Sequence, residues 1–181
     1  MASIVASYLP TMPTLTRYCP DEASTTALGH ALAAALRARG LPGALLTLRG
    51  DLGAGKTTLA RAILRGLGVR GRIKSPTYAL VEGYTLPNST LEFNENLEKQ
   101  VYHVDLYRFS SEDDWHDAGL RELLDGRSPC LVEWPERAPG LLPRADLDIV
   151  VEPVGEGRRI ELHGGSPEGS ALIEFLASND A

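Results

Sequence analysis

Eight residues, Gly50-Asp51-Leu52-Gly53-Ala54-Gly55-Lys56-Thr57, constrain this chain more than any other stretch. They match G-x-x-x-x-G-K-[ST], a pattern that works only when a strand leads into it and a helix leads out. Both neighbours are present in the pattern. Leu45-Leu46-Thr47-Leu48 is a short apolar run that reads as a buried parallel strand, and Thr57 to Leu67 carries helical periodicity up to a stop at Gly68. The chemistry explains the spacing. A chain of phosphates has too many oxygens for a few side chains to neutralise, so backbone N–H groups must point inward around it, and glycines permit that approach. The helix that follows adds its N-terminal donors and the positive end of its dipole. Lys56 would reach the outer phosphates and the Thr57 hydroxyl would ligate Mg²⁺.

The rest of the chain supplies an alternation of strands and helices. Residues 1–13 read as a flexible extension, in which Met12 could mark an alternative start, followed by one domain over 14–181. Thr14 to Cys19 is a short edge strand, and Pro20-Asp21-Glu22 opens a helix carrying Ala27, Leu28, Ala31, Leu32, Ala35 and Leu36 to a stop at Gly40. Strands are predicted over Ala79–Tyr84 and Val101–Arg108, with Val101, His103, Asp105 and Tyr107 on one face. Between them, 86–100 reads as an exposed loop or a long hairpin tip. A helix capped by Ser110 or Ser111 is expected to run to Asp125-Gly126, and Cys130-Leu131-Val132 is another buried strand. Leu147–Val151 and Arg158–Leu162 flank Gly155-Glu156-Gly157 as a hairpin, and Ala171–Ala177 suggests a last helix. The fold class is therefore α/β, a three-layer sandwich around a mixed, mainly parallel sheet with an antiparallel C-terminal addition.

Composition excludes several classes. Twenty-four acidic against 18 basic residues give a net charge of −6, which argues against a broad nucleic-acid-binding surface. Only Lys56, Lys74 and Lys99 are lysines, so each stands out against a background of arginine. Two cysteines, Cys19 and Cys130, build neither a disulfide framework nor a four-ligand zinc site. Nothing resembles a secretory signal or a membrane span, so the expectation is a reduced, cytoplasmic, soluble protein.

A phosphate cradle needs an acidic metal contact at the end of a neighbouring strand. Glu133, closing Cys130-Leu131-Val132, is the candidate, and the alternative is an exposed strand-end glutamate. Asp105 sits in an apolar stretch where an unpaired carboxylate is costly, so it meets either the site or a partner such as Arg108 or Arg61. His103 shares its face, as a catalytic group or a satisfied histidine. Thr77, after Pro76, is either a switch threonine sensing the γ-phosphate or a capping hydroxyl. Trp134 reads equally as a core or an interface aromatic.

Four motifs in order, Gly50 to Thr58, Lys74-Ser75-Pro76-Thr77-Tyr78, His103-Val104-Asp105-Leu106-Tyr107-Arg108 and Leu131-Val132-Glu133-Trp134-Pro135-Glu136, resemble the TsaE (YjeE) family from about Thr14 to the C-terminus. These are small bacterial P-loop ATPases of tRNA threonylcarbamoyladenosine synthesis. The resemblance implies the P-loop NTPase fold, ATP and Mg²⁺, and slow hydrolysis unless TsaB and TsaD are engaged. Those partners modify tRNAs that read codons beginning with A, so tRNA would be met only through the complex. By position, Thr57 and Glu133 would serve the metal, Lys56 and the amides of Gly53, Ala54, Gly55, Lys56, Thr57 and Thr58 the phosphates. Thr77 and Asp105 would belong to the switch and hydrolytic apparatus, with Trp134 and His103 beside the site. Glu22 and Arg158 match positions that approach the nucleotide. The stretch Pro87–Gln100 is longer than usual for the family.

Either Glu133 or Asp105 would orient the attacking water. The main rival is a small-molecule kinase on the same scaffold, which usually carries arginines in a lid; residues 86–100 contain none. A guanine-nucleotide switch would need an N-K-x-D tetrad, which does not occur, and a nucleotide-gated docking module is the non-enzymatic option.

Overall fold

Burial on both faces fixes the centre of the sheet. In the computed structural model, which describes residues 12–40, 43–76, 79–87 and 100–179, β2 (Leu45–Arg49) has parallel neighbours on either side. These are β5 (Cys130–Glu133) and β6 (Leu147–Val154). β4 (Gln100–Asp105) runs parallel beside β5, and β3 (Val81–Thr85) closes that edge antiparallel. At the other edge β7 (Gly157–Gly164) folds back on β6, and β1 (Thr14–Cys19) pairs with β7. The order is β1-β7-β6-β2-β5-β4-β3, so the parallel part is the central four strands and antiparallel strands flank it at both edges.

Period-two alternation sends successive residues of β2 into two different cores. Leu46 and Leu48 pack under α1 (Glu22–Ala38), α2 (Lys56–Gly66) and α5 (Pro167–Ser178), with Leu32, Ile63 and Leu172. Leu45 faces the opposite layer, where Trp115 and Leu120 of α3 (Glu112–Asp117) and α4 (Leu120–Leu123) meet Val104 and Val132. The result is the expected three-layer sandwich. α1 and α2 touch through small residues: a Cβ at Gly29 would collide with that of Ala62, and one at Gly66 with that of Ala33.

Several sequence expectations shift. The helix predicted through to Asp125-Gly126 is broken in two, because Gly119 at φ 61° turns the chain between α3 and α4. The strand expected to reach Arg108 ends at Asp105, whose Oδ1 accepts the Tyr107 N–H at 3.0 Å and draws that residue off the ladder. β3 starts after Leu80, held at φ 61°, rather than at Ala79. α5 begins at Pro167 because Ser166 caps it. Leu86, assigned to an exposed loop, is buried in the α1–α2 core. Most of the expected extension (1–11), Thr77 and 88–99 of the long hairpin lie outside the described residues. Cys19 and Cys130 are free and buried, and burial pushes the Cys130 thiol up to about 12. No described helix is long and apolar enough to cross a membrane.

Candidate functional site

The turn between β2 and α2 is built from three positive-φ glycines, Gly50, Gly53 and Gly55. At Gly50 the demand is double: φ is 136°, and a Cβ would collide with the Val151 carbonyl oxygen. Gly55, at φ 112°, is the N-cap of α2 and supplies no capping side chain. The first turn of α2 therefore presents its N–H groups and the positive end of its dipole with no side-chain oxygen of its own N-cap to receive them. Ala54 differs from the other loop residues. Its side chain is buried in the core and its N–H donates to Asp51 O at 3.1 Å, so its amide closes the loop.

Lys56, only 4% exposed, folds back over this loop. Its Nζ donates to Gly50 O at 2.6 Å and Asp51 O at 2.9 Å and lies 3.8 Å from the centroid of the Trp134 ring. Burial pulls its pKa below the ordinary lysine value, opposed by the carboxylates of Glu133, Glu136, Asp105 and Asp51.

Register carries the acids to the same place. Asp105 and Glu133, last residues of adjacent parallel strands, are register partners, and Glu133 stands opposite Leu48 of β2. Parallel strands place their carboxyl ends at one rim, where the loop also lies. The Thr57 hydroxyl donates to Glu133 Oε2 at 2.9 Å, while Glu133 Oε1 meets His103 Nε2 at 2.8 Å. Lys56, Thr57, Thr58, Asp105, Glu133 and Trp134 line one cleft of about 290 Å³ with Gly53, Gly55, Leu52 and Tyr107.

A second cavity of about 210 Å³ begins where the first ends, sharing Gly55 and Thr58. Glu22, Asp21 and Thr25 from the start of α1 line it, with Glu156, Gly157 and Arg158 from the β6–β7 turn. Arg158 is committed to backbone carbonyls: Nε donates to Ala54 O at 2.7 Å, and its terminal nitrogen to Glu156 O at 3.0 Å and Gly157 O at 2.8 Å. It ties the glycine loop to the hairpin.

A family profile described as "Threonylcarbamoyl adenosine biosynthesis protein TsaE" matches residues 19–160. The chain belongs to the TsaE family. Its similarity to the TsaE protein of Haemophilus influenzae is 39% identity over 92% of this chain and 100% of that protein. The Bacillus subtilis TsaE is 39% identical over 65% of this chain and 67% of its own length. The crystal structure of Bacillus subtilis YdiB superposes with a TM-score of 0.72 at 28% identity, covering 94% of this chain and 99% of the other. The TsaE match contains every candidate residue from Glu22 to Arg158 and leaves α5 outside it.

The structure thus brings together Lys56, Thr57, Thr58, Asp105, Glu133, Trp134 and His103, and sets Glu22 and Arg158 in the adjoining cavity. Sequence reasoning missed Tyr107 as a cleft residue, although it was expected on the Asp105 face; its ring lies 5.0 Å from that of Trp134. It also missed Asp21 and Thr25. A capping aspartate and a helical threonine carry no signal of a binding role, and here Asp21 also accepts the Ser24 N–H.

Proposed function

We propose that this TsaE-family chain binds ATP with Mg²⁺ in the paired cavities and hydrolyses it, as the accessory ATPase that serves TsaB and TsaD in threonylcarbamoyladenosine modification of tRNA. The observation that carries this reading is the Thr57–Glu133 hydrogen bond, 2.9 Å long, beside a helix N-terminus whose N-cap, Gly55, has no side chain to cap it. It puts two hard oxygen donors next to an anion-binding backbone, the small protein contribution that Mg²⁺ takes when phosphates and water complete its shell.

In this reading the α2 N-terminal amides and Lys56 hold the β- and γ-phosphates, and Lys56 exchanges two carbonyls for phosphate oxygens. Thr57 and Glu133 hold the metal, which supplies charge neutralisation to the reacting phosphate when bound. With Glu133 given to the metal, Asp105, its register partner at the end of β4 and a lining residue of the same cleft, is the acid that orients the attacking water. The nucleoside extends past Thr58 toward Glu22 and Thr25. Thr77 would couple the γ-phosphate to the preceding loop. The role is cytoplasmic, and with a net charge of −6 the contact with tRNA is made by the partners.

The test measures ATP turnover alone and then with TsaB and TsaD, together with tRNA modification. Lys56→Ala and Glu133→Ala should each cut stimulated turnover by about 100-fold or more. Normal turnover in both variants refutes the reading, and transfer of the γ-phosphate to a small-molecule acceptor instead of water replaces it with the kinase.

A further inference from the structure

We propose that His103 is a positioning residue of the metal site: its Nε2–H fixes the Glu133 carboxylate so that Oε2 faces Thr57 and a divalent cation. The inference rests on the Mg-ATP reading above and assigns a task that reading leaves open. His103 stands opposite Leu131 in the β4–β5 register, two residues before Glu133, so the two side chains lie on one face of adjacent strands. Its side chain is 0% exposed and that of Glu133 is 2% exposed, with 2.8 Å between Nε2 and Oε1.

The ring's proton has one place to go. Nε2 faces a carboxylate oxygen, which can only accept while Glu133 is ionised, so Nε2 must donate. Nδ1 is buried and has no hydrogen-bond partner among the described residues, so a proton there would be a buried donor that none of them accepts. The Nε2–H tautomer, with the lone pair on Nδ1, satisfies both constraints.

The choice of donor matters chemically. A lysine or arginine bonded to Oε1 would place a cation beside the same carboxylate that a metal must use, and the two would compete for its charge. An imidazole N–H orients the carboxylate and leaves that charge to the metal. Such outer partners of metal ligands typically contribute about 10–100-fold in metal affinity.

The experiment uses the full chain, with His103→Leu, which removes the donor, and His103→Gln, whose amide nitrogen can lie near the Nε2 position. Calorimetry measures ATP binding in EDTA and across a Mg²⁺ series, and turnover with TsaB and TsaD is followed against Mg²⁺. For His103→Leu the half-saturating Mg²⁺ should rise about 10–100-fold, with metal-free ATP binding unchanged and turnover recovering at saturating Mg²⁺. His103→Gln should restore most of the Mg²⁺ affinity. Independently, ¹⁵N NMR of the metal-free wild-type ring should show the proton on Nε2. A wild-type Mg²⁺ response in His103→Leu, an equal loss of metal-free ATP binding, or a proton on Nδ1 each overturns the proposal. Wild-type protein that binds no ATP sinks the ATPase reading instead, and the ring spectrum still decides the His103–Glu133 bond on its own.

Discussion

Trp134 is held at φ 59°, in the left-handed region that a bulky side chain enters at a cost of about 1–3 kcal/mol. The kink comes directly after Glu133 and lays the indole against Lys56 and Tyr107, so it closes one wall of the cleft. In the ATP-bound state proposed above, Lys56 Nζ exchanges its contacts with Gly50 O, Asp51 O and the ring for phosphate oxygens. ATP should therefore change the emission of Trp134, and Trp134→Phe should abolish the change. Trp115, edge-on to Phe109 in the opposite core, should stay silent. A fluorescence titration of both proteins checks this; an equal response in Trp134→Phe contradicts it. Arg158 acts at the same scale. Its guanidinium holds three carbonyls from two segments, a fork that lysine cannot reproduce. Arg158→Ala should weaken ATP binding about tenfold, the worth of one charged hydrogen bond. Calorimetry measures it, and an unchanged affinity would show that the hairpin tie does not shape the loop.

Among the helices, α5 illustrates how one cap links distant elements. The Ser166 oxygen accepts the Gly169 N–H at 3.1 Å and its hydroxyl donates to Asp146 Oδ1 at 2.6 Å. The same aspartate accepts the N–H of Leu45, the first residue of β2, at 2.8 Å. Ser166→Ala should cost about 2 kcal/mol, a cap of about 1 and a partly buried hydrogen bond of about 1. Urea unfolding reads it, and ATP affinity should not change because the cleft is untouched. Elements of this local kind were legible in the sequence. Strand, glycine turn and helix around Gly50–Thr57 announce themselves by apolar runs and stops, and Gly155-Glu156 lies at the hairpin as expected. The break at Gly119 was not, because a single glycine inside a helical pattern costs only about 1 kcal/mol and does not by itself stop a helix. Tyr107 was placed in a strand because alternation continues past Asp105, whereas the Asp105 carboxylate captures its N–H.

The whole molecule assembles its site across long separations, and that is where sequence reading runs out. Thr57 and Glu133 are 76 residues apart, His103 and Glu133 30, and Arg158 and Ala54 104. Residue types could be nominated singly, but no periodicity encodes which oxygen of Glu133 meets which partner; that follows from strand order and register. The same assembly makes binding a global property. A ligand of the cleft touches the β2–α2 loop, the ends of β4 and β5 and, through the second cavity, α1 and the β6–β7 turn. Unfolding must release it from all of them. At a free concentration of about 100 times its dissociation constant, ATP with Mg²⁺ should add about 2.7 kcal/mol of stability. For a chain of 181 residues that raises the melting temperature by about 5–11 °C. The shift should grow with the logarithm of ATP concentration, shrink when EDTA removes Mg²⁺, and vanish in Lys56→Ala. A melt followed by circular dichroism at several ATP concentrations measures it. A wild-type midpoint that does not move with ATP would mean that these segments do not close around one ligand.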